Sequence, residues 1–187
     1  MGYRINVRNA QYAKVTVNSS TTYTLGTVTA LPTLRNVDLA FTSATGELYG
    51  DGELVSKRSK LTGATLKFGI DKIAQSALSD IMGSTVTAKG VNQIKTTDTP
   101  ADIAVYFEIE HDDGGYEAIW LLTGKADPVN VTAQQAEGNI TYSTDEVTVN
   151  FLRREKDKLL VAWADTDNSN FNAAAQAAFK LAPDIAS

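Results

Sequence analysis

The sequence predicts a mainly β protein, a sandwich or barrel with one α-helix at its flank or open end. Three observations carry this. Apolar and polar residues alternate with period two through most of the chain. Thr and Val, which suit pleated strands, fill the alternating runs. Short clusters rich in Gly, Asp and Asn separate those runs: "YGDG", "HDDGG", "EGN", with the charged "REKDK".

Taken in order, "NVDLAF" places Val37, Leu39 and Phe41 on one face, and "LTGATLKFGI" does the same with Ala64, Leu66, Phe68 and Ile70. In "IAVYFEIE", Ile103, Val105, Phe107 and Ile109 alternate with Ala104, Tyr106, Glu108 and Glu110. "EVTVNF" groups Val147, Val149 and Phe151, and "KLLVAW" groups Leu159, Val161 and Trp163. Each pattern predicts a strand with one face on a core and the other in water. Two segments have helical period instead. In "DKIAQSALSDIMG", Ile73, Ala74, Ala77, Leu78, Ile81 and Met82 form one stripe, with Asp71 as the expected N-cap and Gly83 as the stop. In the tail, Phe171, Ala175, Ala178, Phe179 and Ala182 form a second stripe ended by Pro183, with Asn168 or Ser169 as the expected cap. Between two convincing strands lies Thr42 to Lys60, "TSATGELYGDGELVSKRSK", with mixed charge and little core pattern. A connection of that length inside a domain is usually functional or disordered. Its centre, "GELYGDGELV", suits a weak two-stranded flap.

At 187 residues the chain is one large domain, or a domain with an appendage. It contains no cysteine, which excludes disulfides, cysteine zinc sites and thiol nucleophiles. With 17 basic and 22 acidic residues the net charge is −5, which disfavours a protein that grips nucleic-acid phosphates. The one locally basic stretch is "SKRSK", Ser56 to Lys60. No apolar run approaches the ~20 residues that span a bilayer, and the N-terminus has no signal-peptide core. A soluble protein made in the cytoplasm is expected.

The chemistry-bearing residues are few. The only histidine, His111, precedes Asp112 and Asp113. Metal binding needs three or four converging ligands, and "HDDGG" is what a hairpin tip demands. "DTDNSN", Asp165 to Asn170, resembles the start of a calcium loop but lacks its glycine and final glutamate, so it reads as a strand-to-helix turn. There is no nucleophile elbow, no phosphate loop and no dinucleotide fingerprint. Trp120 and Trp163 fall inside strand patterns and are read as core or sheet-face residues. No catalytic residue, metal or cofactor is expected.

In their order, several fragments resemble a family: "NAQYAKV", "ALPTLRNVDLAF", "ELYGDGELV", "LTGATLKFGI" with "DKIAQSALSDIMG", "VTAKGV", "ADIAVYFEIEHDDGGYEAIWLLTGKAD" and "GNITYSTDEVTVNFLRREKDKLLVAWAD". The chain resembles the major tail protein, or tail tube protein, of long non-contractile-tailed bacteriophages, in the phi13-type group, from about Asn9 to about Asp165. The resemblance implies a β-sandwich core with a flanking helix, assembled as hexameric rings that stack into a tube. It implies a location in the virion tail after synthesis in the bacterial host's cytoplasm. The implied partners are further copies of the chain, a tape-measure protein inside the tube, and tail terminator and distal tail or baseplate proteins. Genomic DNA would pass through without specific binding, and no membrane is involved.

On this reading residues 1–167 are the tail-tube domain, with an arm at 42–60 and a helix at 71–83, and 168–187 are a C-terminal helical extension. The arm carries the expected inter-ring or inter-subunit residues: Glu47, Tyr49, Asp51, Glu53, Lys57, Arg58 and Lys60. It is expected to order only on a neighbour. Glu108, Glu110 and Glu117 are the expected lumen- or interface-facing acids, since carboxylates on a wall repel phosphate. The alternative is a β-sandwich module that binds carbohydrate or a host surface, and a more distant one is a metal-assisted hydrolase centred on His111.

Overall fold

The computed structural model describes residues 2–31, 33–51, 53–129 and 144–184. The turn signal "EGN" lies outside them. Among the described residues there are eleven strands and two short helices: β1 (Arg4–Asn18), β2 (Tyr23–Leu25), β3 (Thr29–Ala30), β4 (Leu34–Gly50), β5 (Glu53–Ile70), α1 (Gln75–Met82), β6 (Thr85–Val86), β7 (Asn92–Gln93), β8 (Ile103–His111), β9 (Tyr116–Ala126), β10 (Asp145–Leu152), β11 (Val161–Asp165) and α2 (Ala173–Phe179). Nine strands form one antiparallel sheet in the order β2-β1-β8-β9-β10-β5-β4, with β3 on β1 and β11 on β9; β6 and β7 pair separately. The expectation of a mainly β fold holds, as one large sheet.

That sheet curls. β4 returns to within 8 Å of β1 by Cα distance, without ladder hydrogen bonds between the two. The concave side is lined by the alternating residues of the sequence patterns: Leu66, Phe68 and Ile70, then Ile103, Val105 and Phe107, then Val147, Val149 and Phe151. Ile119 and Leu121 of β9 complete it. Gly124 lets the Phe151 ring lie directly on the β9 backbone, where a Cβ would meet the ring at 2.6 Å. Residues Ile73, Ala77 and Ile81 of the α1 region close one end of this core.

α1 begins later than expected. The predicted cap, Asp71, pairs instead with Arg35, and the helix starts after Ala74 with no side-chain cap. Gly83 does end it, at φ +72°, with its N–H bonded to the Ser79 carbonyl. A Cβ there would collide with the Thr99 carbonyl oxygen. Gly83→Ala therefore meets both a left-handed backbone penalty of about 1–2 kcal/mol and a steric clash. We expect a loss of at least that size in chemical denaturation.

The prediction of one wet face fails for β8, and its partner β9 is likewise covered on both faces. Their convex side buries Ala104, Tyr106, Tyr116, Ala118, Trp120 and Leu122 as fully as the concave side buries its residues. The cover comes from the tail: Phe171 and Phe179 pack edge-on to each other, and Phe179 edge-on to Tyr106. The Trp120 indole N–H donates to the Phe179 carbonyl at 2.5 Å. The α2 cap is Asn172, not Asn168 or Ser169: its side chain accepts from the Ala174 and Ala175 N–H groups at 3.1 Å. The helix starts there because Phe171 must first reach its pocket, while the Asp165 and Asn168 side chains accept backbone N–H groups within the preceding turn. The expected stripe is met by Phe171, Ala175 and Phe179, whereas Ala178 is exposed.

Candidate functional site

Residues 42–60, expected to be a flexible arm, are instead the outer half of a continuous two-stranded ribbon. β4 and β5 stay paired from Leu34↔Ile70 to Gly50↔Glu53. The pairing is local, between strands adjacent in sequence. It carries no core, since burial on β5 begins only at Gly63. Its outer half exposes Leu48, Tyr49, Leu54 and Val55, each 50–64% accessible. Leu61, at its base, is also exposed.

The predicted arm residues sort along this ribbon. On one face Glu47 pairs with Lys57 at 2.8 Å and accepts from the Tyr49 hydroxyl at 2.8 Å. Those bonds, from Lys57 first and Tyr49 second, hold the Glu47 carboxyl below its ordinary value. Arg58 lies opposite Gly46 and Lys60 opposite Ala44, and neither forms an ion pair among the described residues. Asp51, at φ +51°, and Glu53 sit at the tip. From the tip inward the ribbon is thus acidic, then apolar, then basic.

The irregularities of the hairpin fall mostly on the inner strand. Thr62 and Val55 are extra residues of β5, and Arg35 is the one extra residue of β4. From Asn36 to Gly50 the edge strand β4 therefore runs without a bulge, with neither Pro nor Lys in its sequence. The opposite edge is treated differently. β1 is bulged twice against β8 and is capped over Gln11–Asn18 by β2 and β3.

The three predicted acids are brought together, but not on a free wall. Glu108 is fully buried. It accepts from the Tyr106 hydroxyl at 2.8 Å, Asn9 Nδ2 at 2.8 Å and Arg8 Nε at 3.0 Å, and Lys180 Nζ stands 3.1 Å away. Burial pushes this carboxyl up, and the bonds from Tyr106, Asn9, Lys180 and Arg8 together outweigh it, holding it below its ordinary value. Glu117 is buried against a bidentate Arg4 at 2.8 Å and His111 Nε2 at 3.0 Å. Its carboxyl is likewise lowered, burial opposing and the bonds from Arg4 and His111 prevailing. Glu110, half-buried, pairs with Arg8 at 2.6 Å and Asn6 at 3.3 Å. A wall of unneutralised acids is thereby excluded at these positions: β1, β8, β9 and the tail spend them on one another.

His111 ends β8 at the predicted hairpin tip, with Gly114 at φ +85° making the turn. It is not solvated, being 5% exposed with Nε2 on Glu117. No group of three or more His, Asp or Glu residues suited to a metal occurs among the described residues. Trp120 is core, as read, while Trp163 is a half-exposed sheet-face residue with the Arg4 guanidinium 5.8 Å from its ring. The residues that sequence reasoning missed are Arg4, Arg8 and Lys180. A signal was present in "RINVRN", whose alternate positions 4, 6 and 8 are Arg, Asn and Arg. Compared with protein-family models and with curated proteins, the chain gives no match.

Proposed function

We propose that the chain is a structural virion protein, the repeating subunit of a phage tail tube, which polymerises through its sheet edge and its projecting ribbon. The observation that carries this is the bare outer edge of β4. Natural sheets blunt their edges with lysine, proline, bulges or covering elements, because an open edge pairs with other chains. β1 is bulged over its first half and capped from Gln11 onward. β4 keeps a long regular edge with no such device and extends it beyond the body as an apolar-sided ribbon. A protein with that edge either aggregates or uses it.

On this reading subunits close into rings, six by the family resemblance, and rings stack around the tape-measure protein. Tail terminator and distal tail proteins end the stack. The net charge of −5 suits a conduit through which DNA slides without being held. With Glu108 and Glu117 consumed internally, that repulsion is carried by other surface acids. Negative-stain microscopy of the concentrated pure protein tests the proposal. Long hollow filaments of uniform width are expected. A persistent monomer that binds glycans would sink it in favour of the carbohydrate-binding module.

A further inference from the structure

An open slot lies at the base of the sheet, far from the ribbon tip of the same molecule. It sits between the start of β1 and the start of β4 and encloses about 400 Å³, in the range of clefts that hold ligand-sized groups. Its walls include Ile5, Val7, Val37 and Ile109, and two arginines, Arg4 and Arg35. Ile5 is 63% exposed, an apolar side chain without cover. Both arginines are about half exposed, at 56% and 48%. Arg4 gives Nε and Nη2 to Glu117, and Arg35 gives Nε to Asp71. Each guanidinium has five N–H donors, so each keeps donors for a further acceptor.

Two strand edges also border the slot. β2 and β3 cover β1 only from Gln11 onward, so over Arg4–Asn9 its outer edge has no strand partner among the described residues. The facing start of β4 has none either.

We infer that this slot is the docking site for the ribbon tip of a second copy of the chain. The two surfaces are complementary in charge and in apolar character. The tip acids, Asp51 and Glu53, meet the two half-exposed arginines. The apolar belt of Leu48, Tyr49, Leu54 and Val55 meets Ile5, Val7, Val37 and Ile109.

The contact must be made between molecules. Arg35 and Gly50 stand at opposite ends of β4, 15 residues apart, and at about 3.3 Å per residue the tip is roughly 50 Å from its own slot. Tip and slot are different surfaces, so the contact is head-to-tail. Such contacts propagate until rotation closes them into a ring, or continue as a filament. The inference rests on the self-assembly reading and supplies it with a specific joint.

Two variants separate the halves of the joint. In the first, Gly46–Arg58 is replaced by Asn-Gly, which keeps the slot and removes the tip. In the second, Arg35→Glu keeps the tip and reverses a slot charge; its partner Asp71 is surface-exposed, so the fold is little affected. By sedimentation velocity each variant alone is expected to stay monomeric, and an equimolar mixture to give a 1:1 complex that does not grow. Adding Asp51→Lys and Glu53→Arg to the Arg35→Glu chain is expected to restore self-association. An Arg35→Glu chain that assembles like the parent would overturn the slot and leave the tube standing, as would a mixture that forms no complex where the parent polymerises. A parent that never assembles sinks the tube reading. It sinks the slot as well, since the parent carries both tip and slot; a parent that forms head-to-tail oligomers but no hollow tube sinks the tube reading alone and leaves the slot standing.

Discussion

Replacing Gly46–Arg58 by Asn-Gly should leave a folded, soluble monomer that builds no tube. Thr45 and Ser59 already pair across the ribbon. Joining them through Asn-Gly gives a two-residue type I′ hairpin, whose twist matches that of the flanking strands. Nothing removed belongs to the core. Surface changes away from special features usually alter stability by no more than about 0.5 kcal/mol, so the melting curve should nearly overlay that of the parent. Assembly should be lost altogether, because the cut takes the tip acids and the apolar belt, with the outer third of the free edge of β4. Circular dichroism and electron microscopy on the same sample report the two halves of this expectation. Tubes forming at the parental rate would show that the ribbon is ornament. A collapsed melting temperature would show that it is scaffold.

The parts legible in the sequence are those governed by local periodicity. The concave core was readable almost residue by residue: Leu66, Phe68 and Ile70, or Val147, Val149 and Phe151, alternate without interruption and all are buried. The turn at Asp112–Gly115 and the stop at Gly83 were readable too, because each demands a particular backbone angle. What escaped depends on distant partners. β8 reads as half-wet because Glu108 and Glu110 interrupt its second face. Their neutralising partners, Arg8 and Lys180, lie 100 residues before and 72 residues after Glu108, and no short window contains them. The two-stranded flap expected at "GELYGDGELV" is present, but that it continues the flanking strands through the whole of 42–60 escaped for a different reason. Thr, Ser, Gly and mixed charge carry no core pattern, yet a hairpin that faces water on both sides needs none. Asp71 misled because a good capping residue is also a good partner for an arginine, and Arg35 claimed it.

The largest loss of stability is expected from Glu108→Ala. The side chain is fully buried, and its removal strands four donors: Tyr106 hydroxyl, Asn9 Nδ2, Arg8 Nε and Lys180 Nζ. The buried Tyr106 hydroxyl is left without an acceptor, at a cost of about 1–3 kcal/mol, and the ion pairs to the one-third-exposed Arg8 and Lys180 are lost with it. Against a typical total of about 5–15 kcal/mol this is a substantial loss. Lys180 ties the tail to the sheet, and α2 has only seven residues, too few to persist unsupported. The first region to open should therefore be 171–184, seen as early proteolytic cleavage there. The milder Glu108→Gln tests the charge separately. In the folded protein this carboxyl sits below its ordinary value of 4.5. Its contribution is thus complete above that value and disappears as the pH falls toward the folded one. The parent should lose stability on acidification below about pH 4.5. Glu117 and Asp157, also lowered, add to that loss, so Glu108→Gln should make the acid limb shallower without abolishing it. An unchanged acid limb, with unchanged stability at neutral pH, would mean that Arg8 and Lys180 find other partners and that the tail is held by Phe171 and Phe179 alone.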